Sequence, residues 1–254
     1  MKVFVCNKKR ALWYSALSLC AVLLIAIGST KSISVANNES EKLLPIYSVD
    51  RGDEKVIALT FDAAWDDTDT DVLISVLQKY NVPATFFMVG SWVEKYPESV
   101  KKFFHAGHEI MNHSDTHPHI DKLSDAKVRE EITKCNEKIE ALTGVKPILF
   151  RGPYGEYNNA VIREATAQGM FVVQWDTDSL DWKNLSPEEI TSRVVNRAAP
   201  GSILLFHNGA KNTPEALPKV IEALKAKGFT FVKASELIYK ENFTIDHAGK
   251  QILN

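Results

Sequence analysis

Two imidazoles four residues apart, His113 and His117 in the run His113-Ser114-Asp115-Thr116-His117, are spaced so that both can face one metal ion. They can give two ligands to a divalent cation such as zinc and leave positions for a carboxylate, a water and a substrate, the open arrangement of a catalytic site. Five of the seven histidines fall between His105 and His119, so the cluster holds bystanders too. His105 reads as a helix-surface residue and His119 as structural or exposed. Upstream, Asp62 follows the apolar run that starts at Val56 and precedes Ala63-Ala64, surroundings that favour a raised pKa and suit a general base. A lone aspartate after a strand is more often a cap or turn residue, and only the histidine pair reverses that balance. Downstream, His207 closes Leu204-Leu205-Phe206 and is either a satisfied core histidine or a general acid. Arg151-Gly152-Pro153-Tyr154-Gly155 and Asp178-Ser179-Leu180-Asp181-Trp182 complete five polar segments, each ending or following an apolar run.

Segments so far apart in the chain need a scaffold, and the hydrophobic periodicity supplies one. Strand-length apolar runs at 56–61, 84–89, 108–112, 148–150, 170–175, 202–206 and 229–232 alternate with helical patterns. These patterns cover 69–80, 92–105, 125–143, 159–168, 186–198, 214–227 and 235–239. Gly107, Gly144, Gly169 and Gly228 close helices, and Ser186-Pro187-Glu188-Glu189 opens one with a cap, a first-turn proline and a capping-box glutamate. Apolar strands alternating with helices imply a parallel sheet. Asp62, His113, Arg151, Asp176 and His207 all fall at carboxyl ends of different strands, where a barrel assembles its site and an open sheet would spread them too widely. The expectation is an α/β fold, a distorted (β/α)7-type barrel forming a single catalytic domain at 55–240.

The flanks read differently. Residues 1–36 carry five basic groups and no acidic ones around an 18-residue apolar stretch from Ala11 to Gly28, a signal peptide or membrane anchor. The basic group before that stretch would stay in the cytoplasm and place the rest outside the membrane, with membrane contact only through this segment. Residues 37–54 read as a spacer and 241–254 as a C-terminal tail without periodicity. Cys6 and Cys20 belong to the leader, and Cys135 stands alone in a helical pattern as a buried small residue. Beyond the leader 25 basic residues face 32 acidic ones, a formal charge of −7 with no basic stripe, which argues against a nucleic-acid partner.

Taken together, the five segments from Val56 to Tyr239 resemble the polysaccharide deacetylases of the NodB-homology group, carbohydrate esterase family four. The segments around His113 and His207 and the leader resemble the PdaB-like sporulation subgroup. The resemblance implies metal-dependent hydrolysis of N-acetyl groups on an acetylated cell-wall polysaccharide, peptidoglycan or chitin-like. It implies Asp62 as base, His113 and His117 as ligands of a divalent metal, zinc by expectation, and His207 as acid. It further implies Arg151 holding Asp62, Asp181 orienting His207, the Tyr154 N–H at the oxyanion, and Trp182 and Leu205 around the acetyl methyl. Asp178 joins the same network or forms a turn. Of the aromatics at the mouth, Trp65 and Tyr154 can stack on sugars, while Trp92 begins a helix pattern and reads as core.

One departure stands out. The family has a second aspartate after the base as third metal ligand, and this chain has Ala63. Asp67 or Asp69 can replace it, against the alternatives of water, a weakened two-histidine site, or a helix-start role for these acids. The same departure motivates a second reading, a glycan-binding wall protein with little or no turnover. An O-acetyl xylan esterase is a third.

Overall fold

The structure is a computed structural model and describes residues 42–254; the leader expected at 1–36 lies outside the described residues. In chain order the strands are β1 (Ser48–Val49), β2 (Val56–Ala63), β3 (Thr85–Met88), β4 (Glu109–Asn112), β5 (Leu149–Phe150), β6 (Phe171–Val172), β7 (Thr177–Asp178), β8 (Ile203–His207), β9 (Thr230–Val232), β10 (Phe243–Ile245) and β11 (Lys250–Leu253). The α-helices are α1 (Thr70–Lys79), α2 (Gly90–Lys95), α3 (Pro97–His105), α4 (Asp125–Thr143), α5 (Asn159–Ala167), α6 (Pro187–Arg197), α7 (Thr213–Ala226) and α8 (Ala234–Leu237).

A curled parallel sheet runs β6-β5-β4-β3-β2-β8-β7, with β9 also paired to β2. This is the expected barrel class in the form of a half-barrel. β2 lies at its centre and is buried at all eight positions, as its unbroken apolar run demands. Alternation along β2 divides the layers. Ile57, Leu59, Phe61 and Ala63 pack outward under Leu73 and Leu77 of α1 and Val220 and Ile221 of α7, while Ala58 joins Phe87, Met111 and Ile203 in a second cluster. That leaves Thr60 and Asp62 on the opposite face from Phe61, where both meet Arg151.

The pattern expected at 92–105 breaks into α2 and α3, because Pro97 starts a new helix after Tyr96 and cannot continue the old one. The strand expected at 170–175 shortens to β6, and its other edge bonds to Ile46, whose N–H donates to the Val172 carbonyl and whose carbonyl accepts from the Gln174 N–H. Of the stretch expected as a spacer, the described residues 42–54 are built into the fold: Ile46 and Val49 are core residues and β1 is part of a sheet. Residues 241–254 likewise carry a hairpin, β10 against β11, and β11 runs parallel to β1. Gln251 is fully buried there and holds both the N–H and carbonyl of Tyr239. Gly201 is required at this junction, since a Cβ would sit 1.7 Å from the Val49 carbonyl oxygen. Among the described residues no helix is long and apolar enough to cross a membrane.

Candidate active site

The carboxyl ends of β2, β4, β5 and β8 open on a cleft of about 510 Å³ lined by Asp62, His113, His117, Tyr154, Trp182, Leu205 and His207, together with Ala64, Trp65, Gly155, Trp175 and Asp178. All the principal residues expected from the sequence are thus brought together, apart from Arg151 and Asp181, which stand behind the wall and act through the residues they hold.

Arg151 is wholly buried. Its Nη1 donates to Asp62 Oδ1 at 2.7 Å and to Thr60 Oγ1 at 3.0 Å, while Nη2 and Nε donate to the Gln174 and Val173 carbonyls. Its guanidinium lies 4.0 Å over the Phe87 ring, so charge and packing fix it together. For Asp62 the expectation of a raised pKa is overturned. Burial alone would push the carboxyl up, but the charge of the Arg151 guanidinium and its hydrogen bond hold it below the usual range. Asp62 is therefore a carboxylate pinned by one oxygen, with Oδ2 left 3.6 Å from His113 Nε2.

His113 Nδ1 lies 2.8 Å from the Arg151 carbonyl oxygen, which can only accept. Nδ1 therefore carries the proton and Nε2 presents its lone pair to the cleft. Burial pushes the pKa of His113 down, and burial followed by the nearness of His113 takes His117 to about 4, so both rings are neutral as ligation requires. The loop between them is built with care. Asn112 Oδ1 accepts the Ser114 N–H, Glu131 accepts the N–H groups of Asp115 and Thr116, and Ser114 Oγ accepts the N–H of His117. Ser114 and His117 both hold left-handed φ values, 67° and 59°, a conformation these bonds sustain. The two rings end with centroids 5.1 Å apart.

His207 lies beside Asp62: the two are register partners across β8 and β2. Asp181, 1% exposed, accepts from His207 Nδ1 at 2.8 Å, from the His207 and Trp182 N–H groups, and from Thr213 Oγ1. Since a carboxylate only accepts, Nδ1 is the protonated nitrogen and Nε2 is left to titrate. Burial disfavours the imidazolium, yet the Asp181 bond and charge, then Asp62 and Asp178, outweigh it and raise the His207 pKa. Asp178 itself closes a tight turn, its Oδ1 accepting from the Leu180 N–H.

The acidic residues after Ala63 turn elsewhere. Asp67 Oδ2 accepts from Ser99 Oγ at 2.7 Å, and Asp69 Oδ2 accepts the Gly209 N–H at 2.7 Å. Neither lines the cleft, so the expectation that Asp67 or Asp69 replaces the missing ligand gives way to packing roles set by residues far along the chain. Ala63 is fully buried among apolar side chains. Among the described residues no three ligating side chains converge, and the donor set stops at two imidazoles. That set fits a cation completed by water more than the three-ligand catalytic zinc site.

Of the remaining expectations, Tyr154 sits at φ 60° in a 3-10 turn, Trp92 and Cys135 are buried as read, and Asp176 braces the start of β8 through Ser202 and Ile203. His119 pairs with Glu156 and stacks on Tyr154 at the rim. Residues that the sequence reading missed are Thr60, Thr213, Glu131, Asn112 and Trp175. None lies in a motif with a recognisable spacing; only their polar character inside or beside apolar runs marks Thr60 and Asn112.

A family profile of polysaccharide deacetylases matches residues 50–173. A peptidoglycan-N-acetylglucosamine deacetylase of Bacillus cereus is 38% identical over 180 residues, 69% of this chain and 66% of the relative, so the chain spans about two thirds of that protein's length. Among solved structures, a CE4 family pseudoenzyme from Bacillus anthracis superposes with a TM-score of 0.75 at 33% identity, over 80% of this chain and 71% of that one. A peptidoglycan N-acetylglucosamine deacetylase in complex with 4-naphthalen-1-yl-N-oxidanyl-benzamide superposes with a TM-score of 0.73 at 36% identity, over 77% of this chain and 94% of that one. The strand-end residues, the half-barrel that gathers them and these matches agree, and the chain belongs to the polysaccharide deacetylase family.

Proposed function

We propose that this chain hydrolyses N-acetyl groups of a cell-wall aminosugar polymer, peptidoglycan or chitin-like, outside the cytoplasmic membrane. The observation that carries the reading is the pairing of Asp62 and His207 across adjacent strands, each with its own buried anchor, Arg151 and Asp181, on one cleft. A base and an acid set side by side, one ionised and one favoured in its protonated form, are what amide hydrolysis needs, because the amine leaves poorly unless protonated. Asp62 Oδ2 takes the proton of the attacking water while Arg151 keeps Oδ1 in place. His207 Nε2 gives its proton to the departing nitrogen, and Asp181 compensates the imidazolium beforehand. Tyr154 offers its backbone N–H to the oxyanion, and Leu205 and Trp182 enclose the acetyl methyl. His113 and His117 would hold a divalent cation, zinc by ligand type, which supplies Lewis acidity toward the carbonyl and the water. The targeting character of residues 1–36 supports the extracytoplasmic location, and the names of the relatives support the substrate class.

A second reading is favoured by Ala63 and by the similarity to a pseudoenzyme: a wall protein that binds the glycan with little turnover. Acetate release by the full chain from N-acetylated peptidoglycan and chitin oligomers, with zinc and with chelator, separates them. Release abolished by chelator, by Asp62→Asn and by His207→Ala is the expected result. Sugar binding without release from any acetylated glycan would replace the first reading by the second.

A further inference from the structure

The loop 64–69 carries no ligand into the cleft, yet it is tied closely to the acid. The Trp65 indole and the His207 imidazole lie with ring centres 5.3 Å apart and planes 22° from parallel, a stacked pair. Two hydrogen bonds clamp the loop bearing the indole to the loop bearing the acid: Asn208 Nδ2 donates to the Asp66 carbonyl, and the Gly209 N–H donates to Asp69 Oδ2, both at 2.7 Å. Gly209, at φ +73°, holds a left-handed conformation that favours glycine and lies beside Trp65 and Asp66. Trp92 Nε1 adds a third tie, donating to the same Asp66 carbonyl. The indole remains 49% exposed at the rim, so its packing demands come from His207 and not from the core.

We propose that Trp65 is a positioning residue for His207, capping one face of the imidazole so that the ring is held by its Nδ1 edge and its face while Nε2 stays open to the leaving nitrogen. The negative face of an indole favours an imidazolium over a neutral imidazole, and the cap keeps water from that side. The role deepens the hydrolytic reading, which supplies the need for an acid, but the contact can be tested without turnover. The other charged or titratable groups that face His207 are Asp181, Asp178, Asp62, His113 and His117. All of them stay in place when only the indole is removed.

The test follows the His207 ring by NMR titration in the full chain labelled with 13C-histidine, with Trp65→Ala and Trp65→Phe as variants and His207→Gln to assign the signal. In Trp65→Ala the midpoint should fall by about half a pH unit, the size expected from losing an exposed cation–aromatic contact, and Trp65→Phe should restore most of it. An unchanged midpoint in Trp65→Ala, with the fold intact by melting, overturns the proposal whether or not the chain turns over. On an N-acetyl substrate, kcat should drop about tenfold with KM moving less than about twofold, and an aryl acetate, whose leaving group needs no proton, should lose far less. A rise in KM at constant kcat would make the indole a sugar platform and end the positioning role.

Discussion

The acid side of the cleft and the cation side are finished to different degrees. Around His207 the bracing is dense: Asp181 receives four hydrogen bonds, the imidazole is fixed at Nδ1 with Nε2 left open, and an indole stacks on the ring. Around His113 and His117 the first imidazole is oriented by the Arg151 carbonyl, whereas the second has aromatic neighbours, and the place of a third ligand is taken by a buried alanine. Under the proposed function, the proton-transfer pair would be fully braced while the two imidazoles would lack a third protein ligand. The two sides rest on different strands but share Arg151, whose guanidinium holds Asp62 and whose carbonyl accepts from His113 Nδ1.

The strongest way to test this asymmetry is to remove the base. Asp62→Asn should cut acetate release by about a thousandfold, the range of a positioned general base, read as initial rate on N-acetylated peptidoglycan. Arg151→Met should cost about 3–5 kcal/mol in urea unfolding, because the Asp62 carboxylate would then be buried without a partner. A loss below about 1 kcal/mol would show that the Arg151 anchor is dispensable. On the cation side, His117→Ala should lower zinc affinity by at least about tenfold in calorimetric titration, since even outer-shell partners are worth that much. Equal affinity in the variant would place the cation elsewhere.

The pH profile reads both sides at once. Asp62 is held below 3.8 and must be ionised, so its contribution appears once pH exceeds its depressed value. His207 is held above 6.5 and must be protonated, so activity declines as pH rises through its raised value. Removing the Asp181 charge with Asp181→Asn should draw that alkaline limb to lower pH; a limb that stays put would assign it to another group. The smallest effect concerns Asp69, which burial raises to about 6 and whose Oδ1 has no partner. Its ionisation costs stability: the neutral form is favoured below 3.8, and that advantage is lost as pH rises through about 6. Asp69→Asn should accordingly add about 1–2 kcal/mol at pH 8 and nothing at pH 4, with zinc affinity unchanged. A fall in zinc affinity would return Asp69 to the cation side.

Much of this site was legible because its polar residues sit where apolar strands stop. Asp62, His113, Arg151 and His207 could each be placed from local pattern, and the pairing of Asp181 with His207 came through resemblance. What the sequence hid depends on distant contacts. The direction of the Asp62 pKa is decided by a guanidinium from β5's carboxyl end, and the orientations of Asp67 and Asp69 by Ser99 and Gly209. Strands of two to four residues such as β1 and β11 show no periodicity to read, so the flanks looked like spacer and tail.

The pairing of β1 with β11 also sets an order of events. Ser48 meets Lys250, partners separated by almost the whole described chain, so the first of the described strands waits for the last before that edge is covered. Closing so long a loop is entropically costly and late. Completion of the small sheet thus reports that the entire domain has arrived, and a shortened product would be left with an unpaired edge exposed to proteolysis.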